Sequence, residues 1–391
     1  MSTLRERVPA LPTPTFSSRL RSPAVAARIG VWLGLAFAVC FVSGLISHAI
    51  QIPSVQGEIP FPTSPVWIYR VTQTLHVVAG TAAVPLLLAK LWAVYPRLFQ
   101  APPRGAREAL LSVLERGSIA LLVAGSLLEL GLGLMNVAQW YAWGFDFRVT
   151  HYALGWLVIG ALLVHIAVKL PVIRSVLGAD VEASDEDRPE AVEPGVLTRR
   201  GVLRTTWISA GVAVVVASSA AGTAPVLNRI AALSPRSRRS GIPINRTAAQ
   251  AGVVPAATSG DYACSVLLDG AERRFSAAQL RALPQATHTL PIACVEGWSA
   301  DGTWTGVPLR ALLDEVGAPL GRPVRVVSLQ RSGPDLETVL PPDFADDPRT
   351  LLAMELDGEP LSLDHGYPVR LIAPNRPGAL QTKWVGRVEV L

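Results

Sequence analysis

Cysteine is scarce: the 391-residue chain has three, Cys40, Cys264 and Cys294. Three cannot build a disulfide framework, and no two stand as Cys-x-x-Cys, so the Cys-x-x-Cys-His of covalently attached haem is excluded. Any haem here is held by side-chain ligation alone. Basic residues are missing from particular stretches. No Lys or Arg occurs from Gln51 to Pro65, and between Gln139 and Tyr152 only Arg148 does, two residues from Asp146. The net charge of +5 therefore makes no single basic face, and Arg residues cluster beside hydrophobic runs, which fits membrane topology better than nucleic-acid binding.

What is abundant is apolar sequence. A hydrophobic fraction of 50% and a mean hydropathy of +0.36 are high for a soluble enzyme and low for a pure transporter, so a membrane half joined to a soluble half is expected. After a Pro- and Arg-containing cytoplasmic tail (residues 1–28), the run Ile29 to Ile50 has the roughly 20 apolar residues that cross about 30 Å of hydrocarbon. A cleavable signal peptide is the competing reading. The run starts late, however, and lacks a small-residue cleavage site beyond it. Further runs cover Val66 to Val94, Ile119 to Gln139 and Tyr152 to Leu170, and a fifth lies between Trp207 and Val226.

Lys and Arg are retained on the cytoplasmic side. Arg19, Arg21 and Arg28 precede the first run; Lys90, Arg97, Arg104, Arg107 and Arg116 separate the second from the third; Lys169, Arg174, Arg199, Arg200 and Arg204 separate the fourth from the fifth. The N-terminus is thus expected inside, and five spans place the C-terminal domain outside. The division is a four-helix membrane domain at 29–175, a cytoplasmic linker at 176–205, an anchoring helix at 206–227 and an exported domain at 241–391. The linker, acidic from Gly178 to Gly195, has too few apolar residues to fold alone. Thr198-Arg199-Arg200-Gly201-Val202-Leu203 at its end resembles a twin-arginine export signal; basic residues flanking a helix are the plain alternative. From Gly241 the pattern turns to short alternating runs, giving a mixed α+β, mostly β, domain. Strands are expected at Tyr262 to Leu268, Arg273 to Phe275, Thr287 to Cys294, Val324 to Leu329, Leu351 to Leu356, Val369 to Ile372 and Val385 to Val390. Ser276 caps a short helix, and a second runs from Pro308 to Val316.

Four of six histidines, His48, His76, His151 and His165, lie in or at the ends of apolar runs, where ionisable groups are costly. His151 and His165 are 14 residues apart, about 21 Å along one helix and within about 40° of one face, as two stacked haems require. Gly44, Gly80 and Gly155 each stand four residues from a histidine, leaving room for a flat macrocycle. By depth, His48 pairs with His151 and His76 with His165; His76 with His151 stays open, because span ends shift by several residues. This layout resembles the di-haem cytochrome b subunits of formate dehydrogenase and Ni,Fe hydrogenase, and more loosely the bacterial cytochrome b561 group. The resemblance covers Ile29 to Leu170 and implies one or two haem b groups exchanging electrons with quinone. Glu129, mid-span, either handles a quinone proton or is a structural glutamate. Arg70 either meets a haem propionate or snorkels to the interface.

Pro291-Ile292-Ala293-Cys294-Val295-Glu296-Gly297-Trp298-Ser299, with Trp304, Gly306, Val307, Pro308 and Leu309 behind it, resembles the molybdopterin-binding domain of the sulfite oxidase family, particularly the branch of the periplasmic methionine sulfoxide reductase catalytic subunit. The resemblance implies that Cys294 ligates molybdenum and is the catalytic centre, a role that suits a soft anionic thiolate. Gly366-Tyr367-Pro368-Val369-Arg370-Leu371-Ile372-Ala373-Pro374-Asn375 and Gln381-Thr382-Lys383-Trp384-Val385 resemble the same family's C-terminal portion. They imply phosphate contacts from Arg370, Lys383 and Arg376, with Asn245 and Arg246 as N-terminal pterin contacts. The domain is shorter than most of its relatives and shows neither their dimerisation domain nor a haem b5 module, so substrate residues do not transfer; Arg331, His365 and Tyr367 are polar candidates. The competing reading of Cys294 is a disulfide with Cys264 in an exported compartment. Cys40 reads as a small buried hydrophobe. The expectation is a membrane-bound molybdenum oxidoreductase linking a small extracytoplasmic substrate to the quinone pool. Its rival is a haem b electron-transfer protein with a non-catalytic exported binding domain.

Overall fold

The structure, a computed structural model, describes residues 18–51, 61–95, 105–183, 187, 196–224, 226–234, 241–333 and 336–391. Most of the N-terminal tail, the segment 52–60, Arg97 and Arg104, and most of the acidic linker lie outside these residues. The N-terminal part is helical: α1 (Pro23–Gln51), α2 (Ile68–Val94), α3 (Ala106–Val137), α4 (Phe147–Gly178) and α5 (Arg199–Ala217), followed by the short α6 (Ser219–Thr223). Five of these are long and apolar enough to cross a membrane. They start where the sequence supplies caps. Ser22 accepts from the Val25 N–H ahead of Pro23 (3.2 Å), Asp146 accepts from the N–H groups of Arg148 and Val149, and Thr198 accepts from the Gly201 N–H (3.0 Å). α1 and α4 outrun the expected apolar runs at both ends and α3 at its start, because their polar flanks continue the same backbone pattern; α2 starts two residues later than expected and α3 stops at Val137. The fifth instead begins earlier and stops at Ala217, where Ser218 takes an extended conformation before α6.

By compactness the chain forms two units that do not follow chain order. The first comprises Met1–Val39, Ala79–Met135 and Tyr141–Val214. Its interior joins Ile29, Leu33 and Phe37 of α1 to Ala83, Leu86 and Leu87 of α2 and Val158 of α4. Large apolar side chains such as Trp32, Leu35, Leu121, Leu163 and Val164 face outward, and only 6% of the most apolar stretch of α4 is buried, so its apolar surface calls for a non-aqueous neighbour. Arg199 is buried and binds the Val181 and Ala183 carbonyls and Asp187, while Arg200 pairs with Asp180 (2.6 Å).

The second unit comprises Cys40–Val78, Asn136–Trp140 and Val215–Leu391. It contains two five-stranded sheets. One has the order β2-β1-β10-β5-β6, with β1 (Ala263–Leu268), β2 (Ala271–Ser276), β5 (Val324–Ser328), β6 (Glu337–Leu340) and β10 (Val385–Val390). The other joins β3 (Ala286–Ala293), β4 (Ser299–Pro308), β7 (Leu351–Leu356) and β8 (Glu359–Pro360), with β9 (Arg370–Ile372) also on β7. All pairings are antiparallel except β1 with β10. The largest core, with Cys264, Phe275, Leu312, Val326, Leu340 and Val388, is shared by both sheets. A separate apolar cluster holds Ile292, Cys294, Trp298 and Trp304. The Ser276 cap and the seven expected strands are present; β4, β6 and the two-residue β8 are additions.

Candidate active site

Strand β3 ends at Ala293, and the chain turns at once. The Cys294 N–H donates to the Trp298 carbonyl (2.9 Å), the Gly297 N–H donates to the Cys294 carbonyl (3.0 Å), and β4 starts at Ser299. Gly297 has φ +87°, which a side chain would strain. The turn leaves Cys294 at 3% exposure on the wall of a cleft that Asn245, Trp298, Asp364, His365, Arg370 and Lys383 also line.

Arg370 enters on β9 with its guanidinium over the Trp304 ring, 5.4 Å from the centroid. One terminal nitrogen donates to the His365 carbonyl (3.1 Å), and its Nε is buried without a partner. Burial lowers its pKa to about 10, although the nearby Cys294 thiolate pulls the other way. Lys383 donates to the Arg246 and Asp364 carbonyls at 2.5 and 3.1 Å. His365 is bound through Nδ1 to the Ser362 hydroxyl (2.9 Å) and through Nε2 to the Ile242 carbonyl (3.0 Å). Burial, with the charges of Arg370 and Lys383, lowers its pKa and outweighs the Ile242 bond. Its ring is committed to holding the cleft wall.

The cleft thus brings together Cys294, Asn245, Arg370 and Lys383. Arg246 contributes its main-chain carbonyl, but its guanidinium turns away to Gln330 (2.7 Å) and the Gln250 carbonyl (3.1 Å), in the space that Gly333 leaves open. Arg376 is outside the lining as well. Asn375 has φ +54°, and the reversed chain sends the Arg376 guanidinium to Thr338 and the Val339 carbonyl, both at 3.1 Å. Burial lowers its pKa to about 9. Arg331 is exposed and Tyr367 packs beside the Cys294 cluster. No disulfide joins Cys264 to Cys294: Cys264 lies in the other core, where burial raises its thiol to about 12. A soft sulfur, two buried cations and an unpaired guanidinium nitrogen fit an anionic, sulfur-ligated molybdenum cofactor.

Among the helix histidines, His48 and His76 belong to the second unit, His151 and His165 to the first. The His76 Nδ1 lies 2.9 Å from the Cys40 carbonyl and 3.3 Å from the Ser43 hydroxyl, which orients the ring and leaves Nε2 as the basic nitrogen. A side chain at Gly44 would come within 3.2 Å of that ring. His151 Nε2 instead lies 3.2 Å from a Glu129 carboxylate oxygen. The glycines receive side chains: Gly44 faces His76, Gly133 faces His151 and Gly155 faces Glu129. Arg70 is committed to Ser299 (2.7 Å) and Asp301, not to a propionate.

The sequence offered no reason to single out the residues that tie this turn to the helix ends. Gln73 donates to the Val295 carbonyl (2.8 Å), Gln139 donates to the Glu296 carboxylate, and Ser219 donates to the Glu296 carbonyl (2.7 Å). Asn375 accepts from the Tyr69 N–H (2.8 Å) and donates to the Pro62 carbonyl (2.7 Å). Uncharged amides in or beside apolar helices carry no pattern that marks them.

Residues 251–391 match the oxidoreductase molybdopterin binding domain family. The chain is 36% identical over 107 residues to YedZ1 of Azospira oryzae, described as a protein-methionine-sulfoxide reductase subunit, covering 27% of this chain and 40% of that protein. It is 30% identical over 165 residues to the mitochondrial sulfite oxidase of Drosophila melanogaster, covering 35% of this chain and 28% of that one. The chain therefore spans less than half the length of either relative. The sulfane dehydrogenase SoxCD from Paracoccus pantotrophus is similar over 33% of this chain and 38% of its own, at 26% identity and a TM-score of 0.31. The C-terminal domain is a molybdopterin-binding oxidoreductase domain of the sulfite oxidase type.

Proposed function

We propose that the chain is a membrane-bound, molybdopterin-dependent oxidoreductase that passes electrons between a small extracytoplasmic substrate and the quinone pool through haem b. The observation that carries this reading is Cys294, buried in a cleft with Arg370, Lys383 and Asn245. The thiolate of Cys294 would hold molybdenum, and Arg370, Lys383 and Asn245 would hold the pterin and its phosphate. When bound, that cofactor supplies two-electron exchange with the substrate. The chain's own part is to place a cationic wall beside the sulfur and to exclude water with Trp298, Ile292 and Trp304. His76 is the best oriented haem ligand, with His48, His151 and His165 as the other candidates. The outward apolar faces of the five long helices and the basic inner loops support a multi-pass protein of the cell membrane, N-terminus inside and C-terminal domain outside, with Arg199-Arg200 as its twin-arginine export element.

Full-length protein from its native host is expected to contain about one molybdenum and one pterin per chain and to show the absorption bands of reduced haem b. Cys294→Ser should lower bound molybdenum by about tenfold or more while the haem bands persist. Molybdenum far below stoichiometry, or a Cys294→Ser chain that keeps its metal, overturns the reading. Loss of folding alone, in a chain that held no molybdenum to begin with, would favour a non-catalytic binding domain.

A further inference from the structure

Gln73 is 5% exposed, on α2 at the end nearer the C-terminal domain. A buried primary amide is costly unless its polar groups are bonded. The bonds it makes lead in two directions. Its Oε1 accepts from the Ser47 hydroxyl of α1 at 2.9 Å, and Ser47 immediately precedes His48. Its Nε2 donates to the Val295 carbonyl at 2.8 Å, and Val295 immediately follows Cys294. His76 is three residues further along α2, so Gln73 and His76 share a helix face. A second contact holds the same juxtaposition: a side chain at Gly297 would overlap Val77, the neighbour of His76. The turn that carries Cys294 is therefore seated on the helix that carries His76, through the hydrogen bonds from Gln73 to Val295 and from Arg70 to Ser299 and one glycine-sized contact.

We propose that Gln73 is a positioning residue for electron transfer, coupling the haem seat at His76 to the molybdenum ligand Cys294 through its hydrogen bond to Val295. The inference rests on the function proposed above. With both groups bound, one electron would pass between a haem held at His76 and molybdenum held at Cys294, the donor oxidised and the acceptor reduced by one electron in either direction. No bond forms or breaks and Gln73 exchanges no proton. Covalent and hydrogen-bonded links couple electron donors and acceptors better than a jump through space does. The link runs from Cys294 through the peptide bond and Val295 to the Val295 carbonyl, across one hydrogen bond to the Gln73 side chain, and along one helical turn to His76.

The test uses the oxidised, full-length holoenzyme, its haem reduced by a flash-excited flavin, with decay of the reduced-haem band reporting transfer to the metal. Gln73→Leu, close in size and unable to donate, is expected to slow the decay about tenfold or more, with the haem spectrum, haem reduction potential and molybdenum content unchanged. Ser47→Ala, which leaves the Val295 bond in place, should keep the wild-type rate. Should Gln73→Leu lose its haem, Gly297→Ala, which pushes the turn away from Val77, carries the test and should slow the decay likewise. Wild-type decay in Gln73→Leu, or in Gly297→Ala where that variant carries the test, overturns the proposal while leaving the proposed function standing. Wild-type protein that binds both cofactors and shows no transfer sinks the proposed function and this inference together.

Discussion

Arg370 is a cation where cations are disfavoured: it is 6% exposed, its Nε has no partner, and burial lowers its pKa to about 10. Such a group destabilises the cofactor-free fold and becomes favourable only when an anion arrives. Arg370→Met is accordingly expected to leave the cofactor-free chain as stable as wild type, or more stable by up to about 4 kcal/mol, while pterin retention falls by about tenfold or more. Melting temperature and pterin content measured on the same preparations check both halves; a lower melting temperature with normal pterin content would contradict the assignment. Arg370 and Lys383 were legible because each sits inside a family-like run. Arg376 sits in the same stretch and was not distinguishable from them, since the left-handed turn at Asn375 that redirects it leaves no mark in residue type. Arg246 likewise depends on Gln330, 84 positions away.

Strand β4 was missed because Ser299-Ala300-Asp301-Gly302-Thr303 reads as a turn. Pairing with β3 along its full length and with β7 overrides that local preference. Gly306 shows why glycine is there: a side chain would overlap the Leu352 carbonyl at the irregularity between β4 and β7. Gly306→Val is expected to destabilise the domain by about 1–3 kcal/mol, read from denaturant unfolding, and an unchanged midpoint would argue against this packing. The segment before α2 is held by a different device. Arg349 binds Asp347 (2.6 Å) and reaches the hydroxyls of Ser64 (2.8 Å) and Thr63 (3.3 Å). Burial raises the pKa of Asp347, but the side-chain and backbone bonds from Arg349 outweigh it, and the carboxyl sits below its ordinary value. A carboxyl depressed in the folded state adds stability that is complete above its unfolded pKa and is lost as pH falls through the folded one. The melting-temperature gap between wild type and Asp347→Asn should therefore be full at pH 7 and close below about pH 4. A gap that persists in acid would place the stabilisation elsewhere.

At the scale of the chain, hydropathy separated a helical part from a β part, and the family-like runs picked out Cys294, Arg370 and Lys383, which line one cleft. Hydropathy did not reveal that the ends of α1, α2 and α3 and the segment after α5 belong to the same compact unit as the sheets. Part of the reason is that this union draws on single polar contacts between distant positions, Tyr69 to Asn375, Arg70 to Ser299, Gln73 to Val295 and Ser219 to Glu296, which hydropathy averages away, beside a small apolar cluster of Ile50, Tyr69 and Ala293. The main core, from Tyr262 to Val390, lies wholly within residues 241–391, so a fragment of those residues should still form both sheets. The turn after Cys294 is another matter, because its carbonyls at Val295 and Glu296 and the Glu296 carboxylate all take hydrogen bonds from outside the fragment. Fragment 241–391 is expected to keep the circular dichroism of its strands, yet lose slow amide exchange across residues 294–299 and bind molybdopterin more weakly than the full chain. Equal protection of that turn in fragment and full chain would mean that the helix ends do not shape the metal site, and the cleft would then have to be understood from the β domain alone.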